Sequence, residues 1–345
     1  MFERILVPLD GSKASERAIP VAARIAHATG GTIVFVEVVL PPIEFGTYTA
    51  DRTIPLKPGA FERREGAAAH YLTSIPETYA GELAGIKTEL DLSVGAASPE
   101  IYEAARLERI DLIVLCSHGE TGLKRWAFGS IAQEAVRHSP APVLVLNEHG
   151  IIPPVPEYAQ PLRILVPLDG SPFAEAAILP AANLVAALST SPHDELHLLR
   201  VVVLPTVYRK MKSQVYHSDL MLDDIKRDAE KYMKSVAEHC EKDLAGFNLQ
   251  VSTSVVVNPD VTGTIVREAA QARDVAQSTG YDLVAMATHG RSGLQRLMMG
   301  SVADHILGNT KHPLLIVRPH AEAKGKETGE AVQTEVEVQS WVGLL

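Results

Sequence analysis

Cysteine is scarce in this chain of 345 residues: Cys116 and Cys240 are its only two, and they lie far apart. A disulfide framework is thereby excluded as the source of stability. No apolar run approaches the length needed to cross a bilayer, and no basic segment followed by an apolar stretch precedes the first strand. The expectation is a cytoplasmic protein with no membrane partner. Excess positive charge is also missing. The formal net charge of −10 disfavours non-specific contact with nucleic acid or anionic lipid, so no nucleic-acid partner is expected. A small polyanion held in a local pocket stays open. With 46% hydrophobic and 21% charged residues, the composition is that of an ordinary globular protein.

What is present is a repeat. The nine-residue string Arg4-Ile-Leu-Val-Pro-Leu-Asp-Gly-Ser12 returns unchanged at Arg163 to Ser171, 159 positions later. One domain has been written twice. Each copy reads as a short buried strand running into a loop and then a helix. In the first unit, strands are expected at Ile5–Leu9, Thr32–Leu40, Ile86–Val94, Asp111–Cys116 and Pro142–Leu146. Helices are expected at Ser15–Thr29, 60–84 with a bend near Pro76, Pro99–Arg109 and Ser130–His138. Ser98 is the expected N-cap of the third helix, with Pro99 at its first position.

The second unit repeats the order. Its strands are expected at Ile164–Leu168, Leu196–Leu204, Leu249–Val257, Asp282–Ala287 and Pro313–Val317. Its helices are expected at Phe173–Leu188, Asp219–Leu244, Thr262–Ser278 and Ser301–Gly308. Strands alternating with helices imply α/β units whose parallel sheets are covered on both faces. The expected division is a first domain over 1–148, a proline-rich linker over 149–161, a second domain over 162–320 and a mostly mobile tail over 321–345.

A second block also recurs. Ser117-His-Gly-Glu-Thr-Gly-Leu-Lys-Arg-Trp-Ala-Phe-Gly-Ser130 matches Thr288-His-Gly-Arg-Ser-Gly-Leu-Gln-Arg-Leu-Met-Met-Gly-Ser301 at its His-Gly, Gly-Leu, Arg and Gly-Ser positions. Glycine lets backbone N–H groups come close to an oxyanion, and a helix N-terminus adds partial positive charge. Gly129-Ser130 and Gly300-Ser301 therefore suit a phosphate held by backbone. They equally suit a turn and an N-cap. No metal-ligand spacing surrounds His118 or His289. Arg125 and Arg296 suit either a phosphate or solvent. Cys116 suits the core. There is no Gly-x4-Gly-Lys-Ser/Thr, no His-x-Gly-His and no Gly-x-Ser-x-Gly, so three common routes to phosphoryl, nucleotidyl or acyl transfer lack their residues.

Together, Ile-Leu-Val-Pro-Leu-Asp-Gly-Ser, Thr-His-Gly-Arg-Ser-Gly-Leu, Met-Gly-Ser-Val-Ala and Pro-Leu-Leu-Ile-Val make the chain resemble the universal stress protein family in both units. The resemblance implies two tandem doubly wound domains, each a five-stranded parallel sheet of order 3-2-1-4-5 flanked by helices, joined through their last strands as an internal pseudo-dimer, with a homodimer of chains above that. It implies an ATP site, with Mg2+ as companion ion, built on Gly-x2-Gly-x9-Gly-Ser/Thr. The later members of that motif are Gly119, Gly129 and Ser130 in one unit and Gly290, Gly300 and Ser301 in the other. Cys116 and Ala287 replace its first glycine, and the larger Cys116 side chain crowds the site more. By the same resemblance Asp10 and Asp169 lie beside adenine or ribose, and Val38 and Val201 line the adenine pocket. His118, Ile131, His289 and Val302 complete the expected contacts. The function implied is ATP-dependent sensing in a stress response, with at most slow hydrolysis. A nucleotide-free interaction protein of the same fold, and a weak ATPase or nucleotidyl transferase, are the alternatives.

Overall fold

The computed structural model describes residues 1–41, 59–117, 129–147, 161–189, 191, 193–204, 218–270, 280–288 and 300–319. The first half runs β1 (Arg4–Leu9), α1 (Lys13–Glu16), α2 (Ala18–Thr29), β2 (Thr32–Val39), α3 (Ala60–Thr78), β3 (Lys87–Val94), α4 (Ala97–Leu107), β4 (Leu112–Cys116), α5 (Ser130–His138) and β5 (Val143–Leu146). The second half repeats the order as β6 (Arg163–Leu168), α6 (Pro172–Glu175), α7 (Ile178–Leu188), β7 (Glu195–Val202), α8 (Ser218–Asp243), β8 (Gln250–Val257), α9 (Val261–Ala270), β9 (Leu283–Ala287), α10 (Ser301–Asn309) and β10 (Leu314–Val317).

All ten strands lie in one sheet of order β3-β2-β1-β4-β5-β10-β9-β6-β7-β8. Each half therefore contributes the expected 3-2-1-4-5 arrangement, parallel within itself. The halves meet where β5 and β10 pair antiparallel, Leu144 opposite Leu315. The central strands are apolar at nearly every position because helices cover both faces. One buried cluster packs α2, α3, α7 and α8 residues against one face, and another packs α4, α5, α9 and α10 residues against the other. Both clusters contain residues of both halves, so each core layer crosses the seam. The Arg24 guanidinium donates to the Leu188 carbonyl at 2.8 Å, and the Asn147 amide donates to the carbonyls of Thr310 at 3.2 Å and His312 at 2.8 Å.

Local chemistry shifts several expected boundaries. The helix expected over Ser15–Thr29 is interrupted at Arg17, and its counterpart is interrupted at Ala176 and Ala177. Pro20 and Pro180 explain both breaks. Neither has an N–H to give the carbonyl four residues back, so each sits in the first turn of a new helix. Ser12 and Ser171 cap the preceding short turns by accepting from Ser15 N–H and Ala174 N–H. The helix expected from Pro99 starts earlier, at Ala97, with extended Ala96 rather than Ser98 at the N-cap. Pro99 still falls within the first turn, where its missing N–H costs nothing. The helix expected to reach residue 84 ends at Thr78, two residues after Pro76. The linker from 148 to 160, the end of the helix expected through Ser278, and the tail from 320 lie outside the described residues.

Candidate functional site

The identical strings at the start of each half fold into identical turns. At the end of β1, Ser12 donates its backbone N–H at 3.1 Å and its hydroxyl at 2.6 Å to the same oxygen of Asp10. At the end of β6, Ser171 does the same to Asp169 at 3.0 and 2.6 Å. These are aspartate-closed turns. The glycine between the two residues takes a left-handed φ of 80° at Gly11 and 83° at Gly170, which an L side chain rarely adopts.

A second pair of loop ends converges beside them. The Gly129 N–H donates to the Ser117 carbonyl at 2.6 Å, and the Gly300 N–H donates to the Thr288 carbonyl at 2.8 Å. The residue after each strand is thus pinned to the residue before each helix. Gly300 is held by packing: a Cβ there would stand 3.0 Å from the Thr288 carbonyl oxygen. Having no side chain, Gly129 and Gly300 cannot cap α5 and α10. The first intrahelical bonds are Gln133 N–H to the Gly129 carbonyl and Asp304 N–H to the Gly300 carbonyl. The N–H groups of Ser301, Val302 and Ala303, like those of Ser130, Ile131 and Ala132, belong to the turn that has no carbonyl within its own helix.

In the second half these elements enclose a cleft of about 680 Å³ at the carboxyl ends of β6, β7 and β9, where the sheet order reverses between β6 and β9. Asp169, Val201, Ala287, Gly300, Ser301 and Val302 all line it. Its apolar wall includes Ile265 and Met286, and its polar groups include Thr288, Arg200 and Asp228. Val201 is also buried among the residues beneath α9, so it serves the core and the cleft together. His289 and Gly290 fall outside the described residues.

In the first half, Asp10, Val38, Cys116, Gly129, Ser130 and Ile131 occupy the corresponding ends of β1, β2 and β4 and the start of α5. Val38 packs against the core from a half-buried position, and Ile131 is exposed. Burial pushes the Cys116 thiol up to about 11, with Arg17 and Asp10 acting in opposite senses, so at neutral pH it is a protonated, small apolar side chain. His118 and Gly119 lie outside the described residues, as do Arg125 and Arg296.

Three side chains beside these turns were missed in the sequence. Arg200 pairs with Leu168 in the β6–β7 register and donates to its carbonyl at 3.2 Å. Glu37 pairs with Leu9 in the β1–β2 register, so it occupies the place of Arg200. One Glu37 oxygen is buried without a hydrogen-bond partner, and burial together with Asp10 pushes the carboxyl up to about 7. Tyr232 of α8 lines the cleft and donates to Glu175 at 2.8 Å. Its counterparts in the first half, Tyr71 and Tyr79, donate to buried Glu16 at 3.3 and 2.7 Å. The signal available was Asp-Gly-Ser-x3-Glu, present in both copies. The charge reversal at 37 and 200 stands in the sequence immediately before the paired Val38 and Val201, and strand register shows that both positions face the turn-closing strand end.

The family model described as "Universal stress protein family" matches residues 1–147 and again 162–318. A universal stress protein of Mycobacterium tuberculosis strain H37Rv is 24% identical over 321 residues, covering 91% of this chain and 96% of that protein. A second one from the same strain is 27% identical over 235 residues, covering 68% of this chain and 69% of its own. The crystal structure of a universal stress protein from Archaeoglobus fulgidus matches with a TM-score of 0.57 at 17% identity, over 92% of this chain and 97% of that one, a likeness of fold. With the family model matched once in each half and the tandem fold shared, this chain belongs to the universal stress protein family.

Proposed function

We propose that the protein binds an adenine nucleotide, ATP in the first instance, and uses its occupancy to set conformation or partner choice in a stress response. The observation that carries this reading is the composition of the second-half cleft. A volume of about 680 Å³ falls within the range of small-molecule sites. Val201, Val202, Ile265 and Met286 offer an apolar wall for a base. Ser301, Val302 and Ala303 present backbone N–H groups at the positive end of α10, suited to phosphate oxygens. Gly300, close-packed on Thr288, keeps that approach free of a side chain. Asp169 stands where a ribose hydroxyl would find an acceptor. Ala287 fills one wall with a single methyl. Mg2+ would accompany the phosphates. Hydrolysis on this reading is slow, because the proposal assigns no side chain to activate water.

The test is direct. The protein is purified without added nucleotide, heat-denatured, and its supernatant resolved by ion-exchange chromatography; the native protein is then titrated calorimetrically with Mg-ATP. Released adenine nucleotide, or saturable binding in the micromolar range, is expected. The absence of both released nucleotide and a heat of binding would overturn the reading.

A further inference from the structure

The residues that close the two sites agree almost throughout: aspartate, serine and glycine in the first turn, valine at the end of the second strand, Gly-Ser at the last helix. They differ in charge around that frame: Arg17 acts on Cys116 where the second half has Ala176, Asp228 lines the second cleft, and one strand position reverses its sign. Arg200 in β7 and Glu37 in β2 hold the same register position, each opposite the leucine that ends the neighbouring central strand. Each stands near a tyrosine of the helix that follows its strand and near the turn-closing aspartate or its glycine. Arg200 lies over Gly170, 3.4 Å from where a Cβ on that glycine would stand, and is close enough to Tyr232 to act on its hydroxyl together with Asp169. Glu37 is close enough to Tyr71 to act on its hydroxyl together with Asp10. In the second half, the glycine of the turn closed by Asp169 has a guanidinium over it. In the first half, Asp10 has a second carboxyl beside it, and among the described residues Asp10 is the one charged group felt by Glu37.

We infer that the two halves are not equivalent: the second cleft admits the anionic nucleotide because Arg200 faces it, and the first excludes it because Glu37 does. The inference rests on the nucleotide reading above and assigns one nucleotide per chain. A triphosphate carries several negative charges; replacing the guanidinium by a carboxyl that is only partly ionised near pH 7 removes the attraction and, in its ionised fraction, opposes the phosphates. At separations of several ångströms in a partly hydrated cleft, loss of that attraction amounts to about tenfold in affinity. Cys116 acts in the same direction, standing where Ala287 leaves more room. The planar Arg200 side chain also offers a stacking face for a base, which a carboxylate does not.

Calorimetric titration of the full chain with Mg-ATP, beside uncharged adenosine, decides it. The wild type is expected to bind one ATP per chain. Arg200→Gln should weaken ATP about tenfold and adenosine much less, and Arg200→Lys should restore most of the loss. Glu37→Arg should raise the stoichiometry toward two. The Glu37 variants keep the test sound even if Arg200→Gln folds poorly. Two equal ATP sites in the wild type, or a single site abolished by Glu37→Arg and untouched by Arg200→Gln, would overturn the inference while leaving nucleotide binding intact. Equal losses of ATP and adenosine in Arg200→Gln would show Arg200 to be structural and would also overturn it. No ATP bound by the wild type would instead overturn the proposed function itself.

Discussion

Leu144 of β5 stands directly opposite Leu315 of β10, and each is the second residue of the last strand of its half. A residue paired with its own repeat counterpart across an antiparallel seam lies on a local two-fold axis, the geometry of an isologous interface built inside one chain. Both side chains are fully buried.

Truncation at this axis should be costly. Leu144→Ala and Leu315→Ala are each expected to lower unfolding free energy by about 2–5 kcal/mol. The double variant should lose clearly less or more than the sum of the two, because the sites touch. Urea denaturation of the three variants measures this; strict additivity would argue against direct packing at the seam.

Gly300 is the closely packed glycine of the candidate site. Gly300→Ala places a methyl 3.0 Å from the Thr288 carbonyl oxygen, so the loop end or the start of α10 must shift. A loss of about 1–3 kcal/mol is expected. Gly300→Val should also weaken ATP more than Gly129→Val does. Thermal melts and parallel titrations supply the comparison.

Glu37 makes stability depend on pH. Its carboxyl is pushed from an ordinary 4.5 up to about 7 by burial and by Asp10. A raised carboxyl value means that folding takes up a proton between those two values, so its contribution to stability is fully present below about pH 4.5 and is lost as pH rises through about 7. Glu37→Gln should remove that dependence, a difference of up to about 3 kcal/mol between the two ends of the window. Unfolding curves at pH 5 and pH 8 test it; an unchanged difference between them would refute the assignment.

The two thiols should be inert. Burial pushes both Cys116 and Cys240 up to about 11. At pH 8 a thiol-reactive chromogenic reagent should label neither within minutes in the native protein and both in denaturant. Rapid labelling of Cys116 before unfolding would show its loop end to open.

The element order was legible because hydrophobic period and breakers act locally. Apolar or alternating runs marked the strands, and the strand order was expected from the family resemblance. The helix breaks at Arg17 and Ala176 were legible in principle from Pro20 and Pro180. Of the candidate site, residues next to glycine and the turn-closing aspartates could be picked out because backbone geometry restricts what stands there. The contacts of Arg200, Glu37 and Tyr232 could not, because each acts across sequence distance.

The sequence by itself determined that one α/β unit occurs twice, where its strands and turns fall, and that Asp10 and Asp169 close the same turn, since these depend on neighbours within a few residues. Tertiary structure alone decided what surrounds those repeated residues. Arg4 and Arg163 begin identical strings, yet Arg4 pairs with Glu89 and Glu108 at 2.7 and 2.6 Å, whereas Arg163 pairs with Glu195 at 2.6 Å and lies over the Tyr281 ring. Likewise Glu37 lies within electrostatic reach of Asp10, whereas Arg200 lies over Gly170, next to Asp169. Local geometry is copied with the string, but a side chain's electrostatic partner is set by strand register, and register brings together residues that the sequence holds far apart.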